Sequence, residues 1–209
     1  MPQLAAQSTK SDAITLKGSA AMIAEFFRVG VNSILFQRGV YPFETFSRET
    51  AYELPVHITT KPELAEYILQ FTSQLQSWLI EKTIQKVVVV IISVVTKEPI
   101  ERWQFNIECD KKANETTVVK DKSLGSIQKE MKDMARQIIS SVTILPHIDE
   151  LCSFNILAYT DQEADTPLAW ETGDEHYISN SEEVKLKGLS TRIHKVDMAV
   201  CYKVGGDCD

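Results

Sequence analysis

The 209-residue chain is poor in residues that assemble metal or nucleotide sites. Its cysteines, Cys109, Cys152, Cys201 and Cys208, form no C-x-x-C pair, and His57, His147, His176 and His194 form no H-x-x-x-H, so a structural zinc site is disfavoured and reduced thiols are expected. Cys208 stands second from the end, whereas prenylation needs the fourth position from the C-terminus. Only 8 glycines are present, none in G-x-G-x-x-G or G-x-x-x-x-G-K spacing, which argues against a phosphate cradle and a nucleotide enzyme. The longest uninterrupted aliphatic run, 87–92, falls far short of the roughly 20 residues of a membrane span. The opening MPQLAAQSTKSD has neither the basic-then-apolar pattern of a secretory signal nor an Arg-rich amphipathic one. An intracellular chain is the expectation.

What is present is ordinary globular composition, 44% hydrophobic and 24% charged, with a net charge of -7. The charge is uneven. Residues 145–183 hold ten acids (Asp149, Glu150, Asp161, Glu163, Asp165, Glu171, Asp174, Glu175, Glu182, Glu183) and no Lys or Arg, so the remainder is net basic. Such a stretch repels nucleic acid and attracts a basic peptide, unless it is simply a solvated acidic loop.

Residues 19–38 are apolar on most sides apart from a stripe of Glu25, Arg28 and Asn32, which predicts a nearly buried central helix, ended by Gly39 and Pro42 and preceded by a short strand over 14–16. Residues 44–60 read as short extended pieces broken by Pro55. Pro62 then opens a second helix with Leu64, Ile68, Phe71, Leu75 and Trp78 on one face. The run VVVVIISVV over 87–95 predicts a strand buried on both faces, paired as a hairpin with Trp103, Phe105, Ile107 and Cys109. After a polar loop, Leu124, Ile127, Met131, Met134, Ile138 and Val142 mark a third helix, whose other face carries Lys129, Lys132, Arg136, Gln137 and Ser140. Strands are expected at 152–160, 184–189 and 196–204. Three helices on one face of a mostly antiparallel sheet make an α+β fold.

Catalytic chemistry is hard to build from these residues. Cys152 with His147, or Cys201 with His194, is the best available nucleophile pair, and neither lies in a recognisable context; strand cysteines are usually inert. Absence of catalysis is the expectation, with a Cys152 or Cys201 hydrolase as the enzyme alternative.

The segments ITLKGSA (14–20), AEFF (24–27), NSILFQRGVYP (32–42), ERWQFNIECD (101–110), RQI (136–138), VTILP (142–146), CSFNILAYTD (152–161), NSEEVKL (180–186) and IHKV (193–196) closely resemble the HORMA-domain family in its spindle-assembly-checkpoint branch, the mitotic-arrest-deficient adaptors. The likeness runs in order from about residue 14 to about residue 204. Ile144 stands where the family has an aromatic, and the 110–122 loop and the GGDCD ending are the chain's own. The HORMA accessory subunit of a translesion DNA polymerase is the alternative within the fold.

The resemblance implies one HORMA domain, with 1–160 as core and 161–209 as a C-terminal safety-belt segment, in a non-enzymatic adaptor needing no cofactor or metal. In the family the C-terminal segment either pairs beside the strand at 152–160 or swings to the other side of the sheet and wraps a ligand peptide against that strand as an added β-strand. By resemblance, Ser153, Phe154, Asn155, Ile156, Leu157, Ala158 and Tyr159, with Trp78, bind the peptide. Arg38, Arg136, Gln137 and Ile144 match the surface that pairs open and closed conformers; ordinary exposed charge is the plain alternative for the two arginines. Leu16, Val196, Met198, Val200 and Tyr202 match the switching elements. The implied partners are the mitotic activator of the anaphase-promoting complex, a coiled-coil kinetochore checkpoint protein, a checkpoint kinase-related pseudokinase complex, an AAA+ remodelling ATPase with a HORMA-like adaptor, and a second copy of the chain, with no nucleic acid and no membrane. The implied locations are nucleus, kinetochore and cytoplasm.

Overall fold

The computed structural model describes residues 13–204 except 115, 121, 162–163, 165–166, 168–169, 171–172 and 174. Its centre is helix α1 (Leu16–Gln37), entered from the two-residue strand β1 (Ile14–Thr15), so Leu16 opens the helix and does not extend the strand. Thr15 makes the difference: its side chain accepts the Gly18 N–H and fixes the helix start three residues earlier than the apolar pattern indicates. At the other end Gly39, at φ 64, donates to the Phe36 carbonyl, and Val40 donates to Leu35, a Schellman stop. By length and composition α1 is the one helix among the described residues apolar enough to cross a membrane; 72% of that window is buried inside the domain.

Strands β2 (Phe46–Ala51) and β3 (Leu54–Thr59) form a continuous hairpin where broken extended pieces were expected. Its turn residues Tyr52 and Glu53 both have positive φ, the geometry that matches the twist of a two-residue hairpin but usually recruits Asn or Gly. The hairpin lies over α1 and buries Asn32, whose amide donates to the Arg28 carbonyl and whose oxygen accepts the Thr59 N–H at 2.9 Å. The expected polar stripe of α1 is therefore partly an internal cross-link and not a wet face.

Helix α2 (Pro62–Glu81) begins with Pro at N1 and ends at Lys82 in the left-handed region. Strand β4 (Ile84–Ser93) pairs antiparallel with β5 (Pro99–Cys109), and the loop after it returns through β6 (Val118–Val119) to meet β1. Helix α3 (Leu124–Ser140) is capped by Ser123 and ends two residues before Val142, which is exposed in a following 3-10 turn. Strands β7 (Cys152–Thr160), β8 (Ser181–Ser190) and β9 (His194–Lys203) complete a five-stranded sheet of order β7-β4-β5-β9-β8.

The pleat decides what each face meets. Val87, Val89 and Ile91 join Trp103, Phe105, Ile107, Val196, Met198 and Val200 in the core under the helices, with Phe27 of α1 set edge-on to Phe105 at 4.9 Å. Val88, Val90 and Ile92 form a second cluster on the opposite face with Leu157 and Tyr159. β4 is thus buried on both sides, as its uninterrupted apolar run predicts.

Candidate functional site

A sheet in this order has two edges, β7 and β8, and they are treated differently. Along β8 the backbone N–H of Lys187 is taken by the Gln137 side-chain oxygen at 2.8 Å and that of Ser190 by Glu130 at 2.9 Å, so α3 caps the C-terminal half of that edge. Lys122 reinforces the cap by donating to both Glu130 and the Ser190 carbonyl. β7 pairs with β4 on one side, and on the other no strand lies beside it among the described residues.

The register of β7 shows what its free side offers. Leu151 accepts from Val94, and Asp161 donates to Thr83, so odd-numbered residues bond inward to β4 and the even-numbered Phe154, Ile156 and Ala158 turn their N–H and C=O groups outward. Those same residues send their side chains into the core beneath the helices, while Leu157 and Tyr159 face the other side. Backbone donors and acceptors are thereby presented on a strand whose position is fixed by burial. Next to them is a cavity of about 580 Å³ lined by Tyr41, Lys61, Glu63, Leu64, Tyr67, Phe154 and Asn155. Phe154 stands edge-on to Tyr41 and Tyr67 at 6.1 and 5.7 Å, and Lys61 covers the Tyr41 ring. The Tyr67 phenol has its pKa pushed up by burial and is held back in part by a hydrogen bond from the Ile156 N–H, one of the outward amides.

Described residues between β7 and β8 stand on both faces of the sheet beside this open side. Trp170 packs edge-on against Trp78 at 4.9 Å and beside Phe71 on the helix side of the sheet, whereas a Cβ added at Gly173 would lie 3.3 Å from the Leu157 side chain and the Tyr177 ring lies 5.0 Å from the Arg102 guanidinium on the opposite face. A strand added to β7 would have these described residues above and below it. Four of the ten acids of that stretch, Glu163, Asp165, Glu171 and Asp174, lie outside the described residues. Glu182 and Glu183 accept from Tyr202 and Cys201 across the β8–β9 hairpin.

Ser153, Phe154, Asn155, Ile156, Leu157, Ala158 and Tyr159 fall together on β7, and Val196, Met198, Val200 and Tyr202 fall together on β9 beside β5. Trp78 is fully buried in α2, with its ring set edge-on to Trp170. Trp170 is the residue that sequence reasoning missed; its signal was the one tryptophan in the acidic stretch.

Arg136 is exposed and pairs with Asp133, and Ile144 is exposed at 57%. Gln137 is half-buried. Arg38 departs from its companions and is corrected: it is no exposed charge, because its guanidinium is 3% exposed and forms an ion pair with the equally buried Glu101 at 2.8 Å. It also donates to the Pro146 carbonyl at 2.6 Å, and Glu101 accepts from the Trp103 indole. Glu101's pKa is raised by burial, against the lowering effect of Arg38. Cys109, Cys152 and Cys201 have thiols pushed up, foremost by burial, the opposite of an activated nucleophile.

The HORMA domain model matches residues 19–194. The chain belongs to the HORMA domain family. Among its HORMA relatives, the human mitotic spindle assembly checkpoint protein MAD2A is 46% identical over 96% of this chain and 98% of its own length. The Schizosaccharomyces pombe mitotic spindle checkpoint component mad2 is 40% identical over 91% and 94%. A chain of the crystal structure of the Mitotic Checkpoint Complex superimposes with a TM-score of 0.83 at 38% identity, covering 90% of this chain and 99% of that one.

Proposed function

We propose that this HORMA protein is a spindle-assembly-checkpoint adaptor that works by holding a peptide and not by catalysis. It takes a short segment of a partner as a sixth strand on β7, and the strap from 161 onward encloses that segment. The observation that carries the reading is the asymmetry of the sheet: α3 caps the C-terminal half of β8, while β7 offers the outward groups of Phe154, Ile156 and Ala158 beside an aromatic cavity. The acidic strap favours a ligand with a basic residue next to a short aliphatic run.

The present arrangement, with the β8–β9 hairpin against β5 and β7 open, is one of two packings; in the other the hairpin occupies the β7 side and blocks the ligand. Residues 1–160 act as core and 161–209 as the switching segment. The partners are the mitotic activator of the anaphase-promoting complex, which the adaptor inhibits until chromosomes attach, and the coiled-coil kinetochore protein that loads it. A pseudokinase complex joins the assembly, an AAA+ ATPase with a HORMA-like adaptor resets it, and open and closed copies pair through Arg136, Gln137 and Ile144. These partners place the protein at kinetochores, in the nucleus and in the cytoplasm.

The test is a fluorescence-anisotropy titration with a labelled basic-aliphatic peptide, together with copies N-methylated at successive backbone positions. Saturable binding lost on methylating alternate amides is expected, because an added strand bonds through every second residue. Insensitivity to methylation at every position would overturn strand addition. Recovery of a polymerase and no activator from mitotically arrested cells would overturn the checkpoint assignment.

A further inference from the structure

We infer that a buried polar knot of Ser19, Thr191, His194 and the Leu79 carbonyl is the latch that fixes the C-terminal hairpin on the β5 side of the sheet. The inference rests on the two-packing reading above. The hairpin's other attachments are a backbone ladder to β5 and alternating aliphatics, which any receptive sheet edge can satisfy, and the part-exposed bonds of Gln137, Glu130 and Lys122 to the β8 backbone. The knot is different, since it needs three elements distant in sequence to meet at one place.

His194 opens β9 with only 1% of its surface exposed. Its Nε2 lies 3.0 Å from the carbonyl of Leu79 in the last turn of α2, which also accepts the Lys82 N–H at 3.3 Å. Its Nδ1 lies 2.6 Å from Ser19 Oγ in α1, and that hydroxyl lies 2.6 Å from Thr191 Oγ1. Thr191 in turn accepts the backbone N–H of His194 at 2.9 Å and of Ile193 at 3.3 Å, which closes the β8–β9 turn.

The proton order follows from one group that can only accept. A carbonyl has no hydrogen, so Nε2 carries the ring proton and Nδ1 of the neutral ring accepts from Ser19. Ser19 Oγ then accepts the Thr191 hydroxyl proton at 2.6 Å, the shorter of that hydroxyl's two acceptor contacts; the other is the His194 carbonyl at 3.2 Å. Every polar atom is satisfied with no surface exposed, since Ser19 and Thr191 are both fully buried. A hairpin relocated to β7 leaves Ser19 and Leu79 behind on α1 and α2 and cannot rebuild the knot there. Burial makes such a network all-or-none: removing one member strands the others.

The experiment is amide exchange on the full chain without peptide, comparing β8–β9 with β4 and β7, in wild type, Ser19→Ala, Thr191→Val, Thr191→Ser and the double variant Ser19→Ala/His194→Phe. Loss of the knot should raise exchange in β8–β9 by about tenfold or more while β4 and β7 keep their protection. Thr191→Ser keeps the hydroxyl and should behave as wild type, and the double variant should cost little more than its worse single. Unchanged β8–β9 exchange in Ser19→Ala and Thr191→Val would overturn the latch. So would an equal rise in β4, since the knot would then be ordinary core packing. A wild-type chain that binds no peptide sinks the adaptor reading and leaves these exchange results standing by themselves.

Discussion

The side-chain oxygen of Gln137 holds the backbone N–H of Lys187 at 2.8 Å, while its neighbour Arg136 points to solvent and pairs only with Asp133. Adjacent residues on α3 thus have different settings, one bonded to β8 and the other turned to solvent. Arg136→Glu should change stability by less than about 0.5 kcal/mol, as exposed substitutions do, yet abolish self-association in sedimentation velocity. Gln137→Leu should instead accelerate amide exchange in β8. Equal sedimentation of wild type and Arg136→Glu would reduce Arg136 to solvated charge.

The Arg38–Glu101 pair sets a second expectation. Truncating one partner of a buried pair strands the other, so Arg38→Ala should cost about 3–5 kcal/mol in urea unfolding. Arg38→Met combined with Glu101→Leu should recover more than half of that loss, because no uncompensated charge then remains inside. A loss under 1 kcal/mol for Arg38→Ala, on the scale of about 0–1 kcal/mol for exposed pairs, would mean that the guanidinium reaches water after all.

Much of this was legible in the sequence, and the reasons differ by element. The apolar run of β4, the alternation of β5 and β9 and the stripes of α2 and α3 are local patterns, and each fixes an element without knowledge of its neighbours. Arg38 was not legible, because a lone arginine at a helix end looks solvated until Glu101, 63 residues away, is folded against it. The β2–β3 turn was hidden by Tyr52 and Glu53, which adopt positive φ without being the residues that advertise it. The one-residue bulge at Gly188 was equally silent; a Cβ there would meet the Val196 carbonyl at 2.3 Å, a contact that exists only once β8 and β9 are paired. Open β7 and capped β8 are properties of strand order, which local patterns do not encode.

Tyr67 stands where a ligand's backbone is expected, with its hydroxyl accepting from Ile156. Tyr67→Phe frees that amide while keeping the ring against Phe154. It should tighten capture of a basic-aliphatic peptide by about two- to tenfold in an anisotropy titration, the worth of one net hydrogen bond. Weaker binding would show that the hydroxyl serves the ligand and does not compete with it.

Acid should loosen the fold through His194. Its pKa is lowered from the ordinary 6.5 by burial first and by nearby Lys82, opposed by the bond to Leu79. The folded chain therefore keeps a neutral ring where the unfolded chain takes up a proton, and stability falls as pH drops through 6.5 and below. His57, stacked on Phe36 at 3.7 Å, is shifted the same way and adds to the slope. The urea midpoint should fall more steeply from neutral to mildly acidic pH for wild type than for His194→Gln, and identical slopes would clear His194 of the effect.

The unequal edges of the sheet also set a stoichiometry. A sheet with two receptive margins can add strand after strand and grow into a fibre, each newcomer offering the next its own free rim. Here one margin is covered over its C-terminal half by Gln137 and Glu130, and the other has Trp170 and Tyr177 of the protein's own chain near it. On the proposed strand addition the molecule takes a single strand, and an assembly built on it is counted in discrete copies.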